Sequence, residues 1–125
     1  MLLAAGTAEA APAPLFATLR VTVQGVTGKG GTLIVGVYDE ATFPSVPDAP
    51  LFKREIAKVA GDAAVIFDRL PPGSYALKAL QDVNGNGRAE AGEPQGISNG
   101  ANPADFDAAA IVLEPGPNMA LVRLK

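Results

Sequence analysis

Residues 65–93, VIFDRLPPGSYALKALQDVNGNGRAEAGE, restrict the fold more than any other part of the chain. The first apolar run ends at Leu70-Pro71-Pro72-Gly73. Two prolines without backbone donors and one glycine there force a tight turn and exclude a continuing helix. Beyond the turn Tyr75, Leu77 and Ala79 share one face, the period of two that marks a half-buried strand. The stretch therefore predicts strand, turn, strand and then a polar loop.

The same grammar runs through the rest of the chain. Leu19, Val21 and Val23 alternate with Arg20, Thr22 and Gln24, and Thr27-Gly28-Lys29-Gly30-Gly31 reads as a hairpin loop. The returning run 33–38 is apolar on both parities, as a central strand requires. Residues 39–50 hold three prolines and no period, which predicts a long surface loop pinned by Phe43. The charges of 51–59 suit an edge strand or one short helical turn, and we read a strand. Residues 95–105 read as irregular, and 108–113 with 119–124 as a closing hairpin around Glu114-Pro115-Gly116-Pro117-Asn118. About seven short strands result. The expected fold is an all-β, antiparallel two-sheet sandwich, immunoglobulin-like or prealbumin-like, in one domain over 15–125.

Composition removes several functions. The chain has no Cys and no His, so disulfides, thiolate nucleophiles, imidazole bases and the usual zinc ligands are absent. A net charge of −3 offers no electrostatic case for nucleic acid, and no apolar run has the length of a membrane span. Residues 1–14, MLLAAGTAEAAPAP, carry the small-residue cleavage signals Ala8-Glu9-Ala10 and Ala11-Pro12-Ala13. They are expected to be a residual signal peptide, with a disordered leader as the alternative. The protein is accordingly expected to be exported, periplasmic or extracellular.

The loop after the second strand carries the one pattern with specific chemistry. Asp82, Asn84, Asn86, Gly87 and Glu93 match D-x-[DN]-x-[DN]-G-x5-E. Calcium takes six to eight oxygens, and alternate loop positions with a glycine at the bend turn them toward one point. Asp82, Asn84 and Asn86 would supply side-chain oxygens, Arg88 its carbonyl, and Glu90 or Glu93 would close the site. The flanking segments read as strands and Pro94 follows directly, so this is not an EF-hand. The same Asn-Gly repeat also suits a plain turn without an ion. Three carboxylates and two amides imply modest affinity, about 10⁻⁴ M or weaker.

Taken in order, F-D-R-L-P-P-G-S-Y, Q-D-V-N-G-N-G-R-A-E, S-N-G and P-A-D-F-D-A-A resemble the DUF2141 family, exported bacterial β-sandwich proteins without an assigned activity. The resemblance covers about residues 17–125. It places the family's loop on Asp82, Asn84, Asn86 and Glu90, the last being Asp in the family, with Glu93 an addition. Ser98-Asn99 matches a family G-F-S-N segment in which Ile97 here replaces the aromatic. Tyr75 in L-P-P-G-x-Y is expected to be structural.

The functional expectation is a non-catalytic module at the cell envelope, acting in binding or as a structural accessory and carrying a calcium loop. An envelope protein or polysaccharide is the expected ligand class, and a monomer the expected state. The alternative is a hydrolase or other enzyme using carboxylates on the 82–106 loop. The acids Asp62, Asp68, Asp82, Glu90, Glu93, Asp105 and Asp107 are spread over turns, and Ser98 has no marked partner. The enzyme reading is therefore the weaker one.

Overall fold

The computed structural model describes residues 15–44 and 49–125. The leader 1–14 and residues 45–48 of the first long loop lie outside the described residues. The elements run β1 (Ala17–Gln24), β2 (Thr32–Tyr38), β3 (Phe52–Ile56), β4 (Ala63–Leu70), β5 (Gly73–Asp82) and β6 (Gln95–Ile97). A 3₁₀ turn (Ser98–Gly100), a one-turn helix α1 (Phe106–Ala109), β7 (Ile111–Leu113) and β8 (Gly116–Arg123) complete the chain.

The fold is all-β, with two sheets in the order β4-β1-β8 and β3-β2-β5-β6, and β7 pairing the start of β5. Three expectations need correction. The 25–31 loop is not a hairpin. It carries the chain from one sheet to the other, because β1 pairs β4 and β8 while β2 pairs β3 and β5. The last two strands are not a hairpin either: β7 joins β5, and β8 lies parallel to β1, from Ala17 beside Gly116 to Gln24 beside Arg123. Finally, β6 makes an eighth strand inside the stretch read as irregular. It uses the edge that β5 leaves open, with Ala79 opposite Gly96.

The core lies between the sheets, as the alternation requires. Leu19, Val21 and Val23 of β1 meet Leu33, Val35 and Val37 of β2, with Phe67 and Leu77 filling the centre. Each such aliphatic side chain contributes about 1.5–3 kcal/mol of burial. Phe52–Ile56 is the expected edge strand, and 33–38 the expected central one. Tyr75 is structural, as expected: its hydroxyl donates to the Pro71 carbonyl at 2.5 Å across the Pro-Pro-Gly turn. Burial pushes the Tyr75 hydroxyl above its usual pKa, with the Asp39 charge adding to the shift.

A second, smaller core covers one end of the outer face of the larger sheet. Tyr38 and Ala76 point outward there and are roofed by Phe43, Phe106 and Ala109. Phe43 is buried as expected, edge-on to Tyr38 and to Phe106 at ring separations of 6.3 and 5.8 Å. Among the described residues no helix is long and apolar enough to cross a membrane.

Candidate metal centre

The site begins at the last residue of β5. Tyr75, Leu77 and Ala79 face the core, and the same parity brings Gln81 inward, where its side chain is wholly buried. A buried amide must find partners for both of its ends. Gln81 finds them in the crossover loop: Oε1 accepts from the Thr27 amide at 2.8 Å and its hydroxyl at 3.0 Å. Nε2 donates to the carbonyls of Thr27 at 3.0 Å and Gly30 at 2.8 Å. Gln81 thereby clamps residues 27–30 beside the end of β5.

That clamp brings Gly31 hard against the backbone of Asp82. A Cβ on Gly31 would stand 2.3 Å from the Asp82 carbonyl oxygen, so only glycine permits this approach. Asp82 is 2 % exposed. Its Oδ2 accepts from the Gly87 amide at 2.7 Å, which places the carboxylate against the inside of the loop. Its Oδ1 is buried and has no hydrogen-bond partner. Leaving a buried polar atom unpartnered costs about 1–3 kcal/mol, more for a charged group.

The remaining loop residues fold toward one another. Gly87 takes φ of 77°, the left-handed conformation expected at the bend. The Asn84 Oδ1 accepts from the Asn86 amide at 3.2 Å, and the Asn86 Oδ1 from the Arg88 amide at 2.9 Å. Both asparagine Nδ2 groups donate to the same Glu90 oxygen, Asn86 at 2.8 Å and Asn84 more closely. Glu93 closes the loop from the other end, accepting from the Val83 amide at 2.9 Å and the Glu90 amide at 3.2 Å. Arg88 takes part through its amide.

The sequence therefore picked residues that do come together, in two groups. Asn84, Asn86 and Glu90 form one convergent set, and Asp82 with Gly87 forms the other. Glu93 binds backbone amides between them. Asp82, Glu90 and Glu93 do not make a three-carboxylate cluster, and no group of three His, Cys, Asp or Glu side chains suited to a metal occurs among the described residues. Any cation here would rely on amide and carbonyl oxygens for most of its shell. The two asparagine amides meet Glu90 through their N–H groups and keep their oxygens on the Asn86 and Arg88 amides, so an ion taken up by those oxygens would displace these bonds.

Sequence reasoning missed Gln81. The signal was present: a polar residue on the buried parity of β5 must be either exposed at a strand end or fully bonded. Ser98, which has no partner in sequence that marks it as a nucleophile, bridges two backbone segments. Its buried hydroxyl accepts from the Leu77 amide at 3.0 Å and donates to the Ala109 carbonyl at 2.6 Å. Asp105 caps α1 by accepting from the Ala108 amide at 3.1 Å.

A family model for DUF2141, described as an uncharacterized protein conserved in bacteria, matches residues 21–120, which span both sheets and the loop. No curated protein and no solved structure matches the chain.

Proposed function

The chain belongs to the DUF2141 family, and from that premise we propose that its 82–93 loop binds one calcium ion in a non-catalytic module exported to the cell envelope. One observation carries the ion: the buried Asp82 oxygen without a partner, at the first position of a loop with calcium spacing. Asp82, the amide oxygens of Asn84 and Asn86, the Arg88 carbonyl and Glu90 would hold it. Glu93, now bonded to two backbone amides, would either join the shell or brace it.

Calcium fits this donor set better than magnesium. Neutral oxygens on a short irregular loop suit a flexible shell of six to eight ligands, whereas magnesium demands a tight octahedron and sheds water reluctantly. The ion would rigidify a loop that contributes little apolar burial, and so present a firm surface to an envelope protein or polysaccharide. The export reading rests on the small-residue signals of 1–14. Intact mass of natively expressed protein checks it, with removal of roughly the first 10–13 residues expected.

Melting temperature against calcium concentration tests the site. Calcium at about 100 times its Kd should add roughly 2.7 kcal/mol, on the order of 10 °C for a domain of this size. Magnesium at equal concentration should do much less. A curve in millimolar calcium that overlays the curve in chelator would reduce the loop to a hydrogen-bonded turn.

A further inference from the structure

The outer face of the larger sheet holds a groove that shares only residues 87–89 with the proposed calcium loop. It encloses about 740 Å³, within the range of small-molecule sites. The second core closes one end through Tyr38, and residues 87–89 of the polar loop form a wall. The floor is apolar: Ile34 lies opposite Leu80 across β2 and β5, and Gly36 lies opposite Lys78, which in turn faces Ile97.

Its charge runs against that of the chain. The protein carries −3 overall, yet five of its ten cationic residues line this groove. Among the described residues one acid, Glu55, lines it with them. Two of the cations are engaged within the fold. Lys78 donates to the Phe43 carbonyl at 2.7 Å and lies over the Tyr38 and Phe43 rings, and Arg123 donates to the Gln24 side chain at 3.0 Å. Lys53, Arg88 and Lys125 stand at the rim. Lys53 pairs with Glu55 at 3.0 Å, with both side chains about half exposed, and such a surface pair is weak enough to yield to a ligand. Lys125 is held in place by backbone bonds in both directions with Gln95 of β6.

We infer that this groove binds a small amphipathic organic anion, its apolar body on Ile34, Leu80 and Ile97 and its charge met by Lys53, Arg88 and Lys125. A neutral ligand would leave that excess of positive charge unanswered. The outer face of the smaller sheet also exposes apolar side chains, Ile66, Met119 and Leu121, with the cation Arg20 between Ile66 and Met119.

The test uses 8-anilinonaphthalene-1-sulfonate, an aryl sulfonate, against its uncharged counterpart N-phenyl-1-naphthylamine. Both are titrated into the full chain by fluorescence in chelator, so the result does not depend on the calcium reading. Saturable one-site binding of the sulfonate is expected, at least about tenfold tighter than that of the neutral probe. Lys53→Glu and Arg88→Glu should each weaken the sulfonate several-fold and leave the neutral probe unchanged. Arg20→Glu, the same charge change on the other sheet, should do neither. Leu80→Gln should weaken both probes, Leu121→Gln neither. Decanoate should displace the sulfonate. The inference fails if Arg20→Glu matches Arg88→Glu, if Leu121→Gln removes the binding, if the two probes bind alike, or if polyglutamate displaces where decanoate does not. Unchanged melting of each variant in chelator keeps loss of fold apart from loss of site.

Discussion

Two long loops leave the larger sheet, and they are held by different physics. The loop after β2 is anchored by burial. Phe43 inserts between Tyr38 and Phe106 in the second core, and Asp39 and Thr42 exchange side chain and backbone bonds just before it. The loop after β5 has no such apolar anchor. Most of residues 84–92 is exposed, and polar atoms close it on themselves. Burial is indifferent to the ions in solution. Under the proposed calcium site, a loop that starts from a buried carboxylate with one unpartnered oxygen is not. The difference predicts that one loop responds to mutation of a single ring and the other to the calcium concentration.

The largest expected effect comes from removing the ring. Phe43→Ala should cost about 3–5 kcal/mol, the usual loss for a buried phenylalanine. Denaturant titration should show that cost equally in calcium and in chelator. A cost that shrinks when calcium is added would mean that the two loops are coupled, and the contrast would break.

Asp82→Ala should behave in the opposite way. In calcium it should forfeit the ion's whole increment, roughly 2.7 kcal/mol at saturation about 100-fold above Kd. In chelator two terms oppose each other: loss of the Gly87 amide bond, about 1 kcal/mol, and relief of a buried charge with one unpartnered oxygen. The net change should stay within about 1 kcal/mol. Large destabilisation in both conditions would assign Asp82 to the framework and leave no case for the ion.

Asn84→Asp sharpens the comparison further because its sign should reverse with conditions. In chelator the new carboxylate replaces an amide that donates to Glu90, so two like charges meet and stability falls. With calcium the added charge should tighten binding about tenfold, or about 1.4 kcal/mol. Calorimetric titration and melting in chelator read the two halves separately.

How far the sequence reached follows from the range of the interactions involved. That the loop closes on itself was legible because its polar residues lie within twelve consecutive positions, and spacing along the chain is then spacing in the loop. The alternation of β1 and β5 was legible because one buried face imposes a period of two, and β2 was legible as a central strand because its apolar residues lie on both parities. Strand partners were not. A glycine-rich loop such as 27–31 is equally suited to a hairpin and to a step between sheets, and the choice lies with partners far along the chain, β4 for β1 and β5 for β2, with Gln81 of β5 bonding Thr27 and Gly30. The parallel β1–β8 pair likewise joins the two ends of the described domain, and no local pattern announces it. β6 escaped notice because three residues, Gln95-Gly96-Ile97, are too few for a period and depend on the open edge of β5.

The smallest expected effect asks whether polar bonds matter to the buried loop as well. Asp39 accepts from the Thr42 amide at 2.8 Å and the Thr42 hydroxyl at 2.9 Å, which holds its carboxyl below the ordinary value of 3.8. A carboxylate with a depressed folded pKa contributes stability above its unfolded pKa and loses it as pH falls through the folded value. Thr42→Val keeps the shape and the backbone amide but removes the hydroxyl, which also accepts from the Asp39 amide. The group is accessible to water, so the loss at neutral pH should be no more than about 1 kcal/mol. Part of that difference should fade as pH falls from 3.8, where the unfolded Asp39 takes up its proton, through the lower folded value. Paired denaturant titrations of wild type and variant at pH 7 and near pH 3 measure it. Should Thr42→Val approach the cost of Phe43→Ala, the first loop too would be held by polar atoms, and only the ion would distinguish the two.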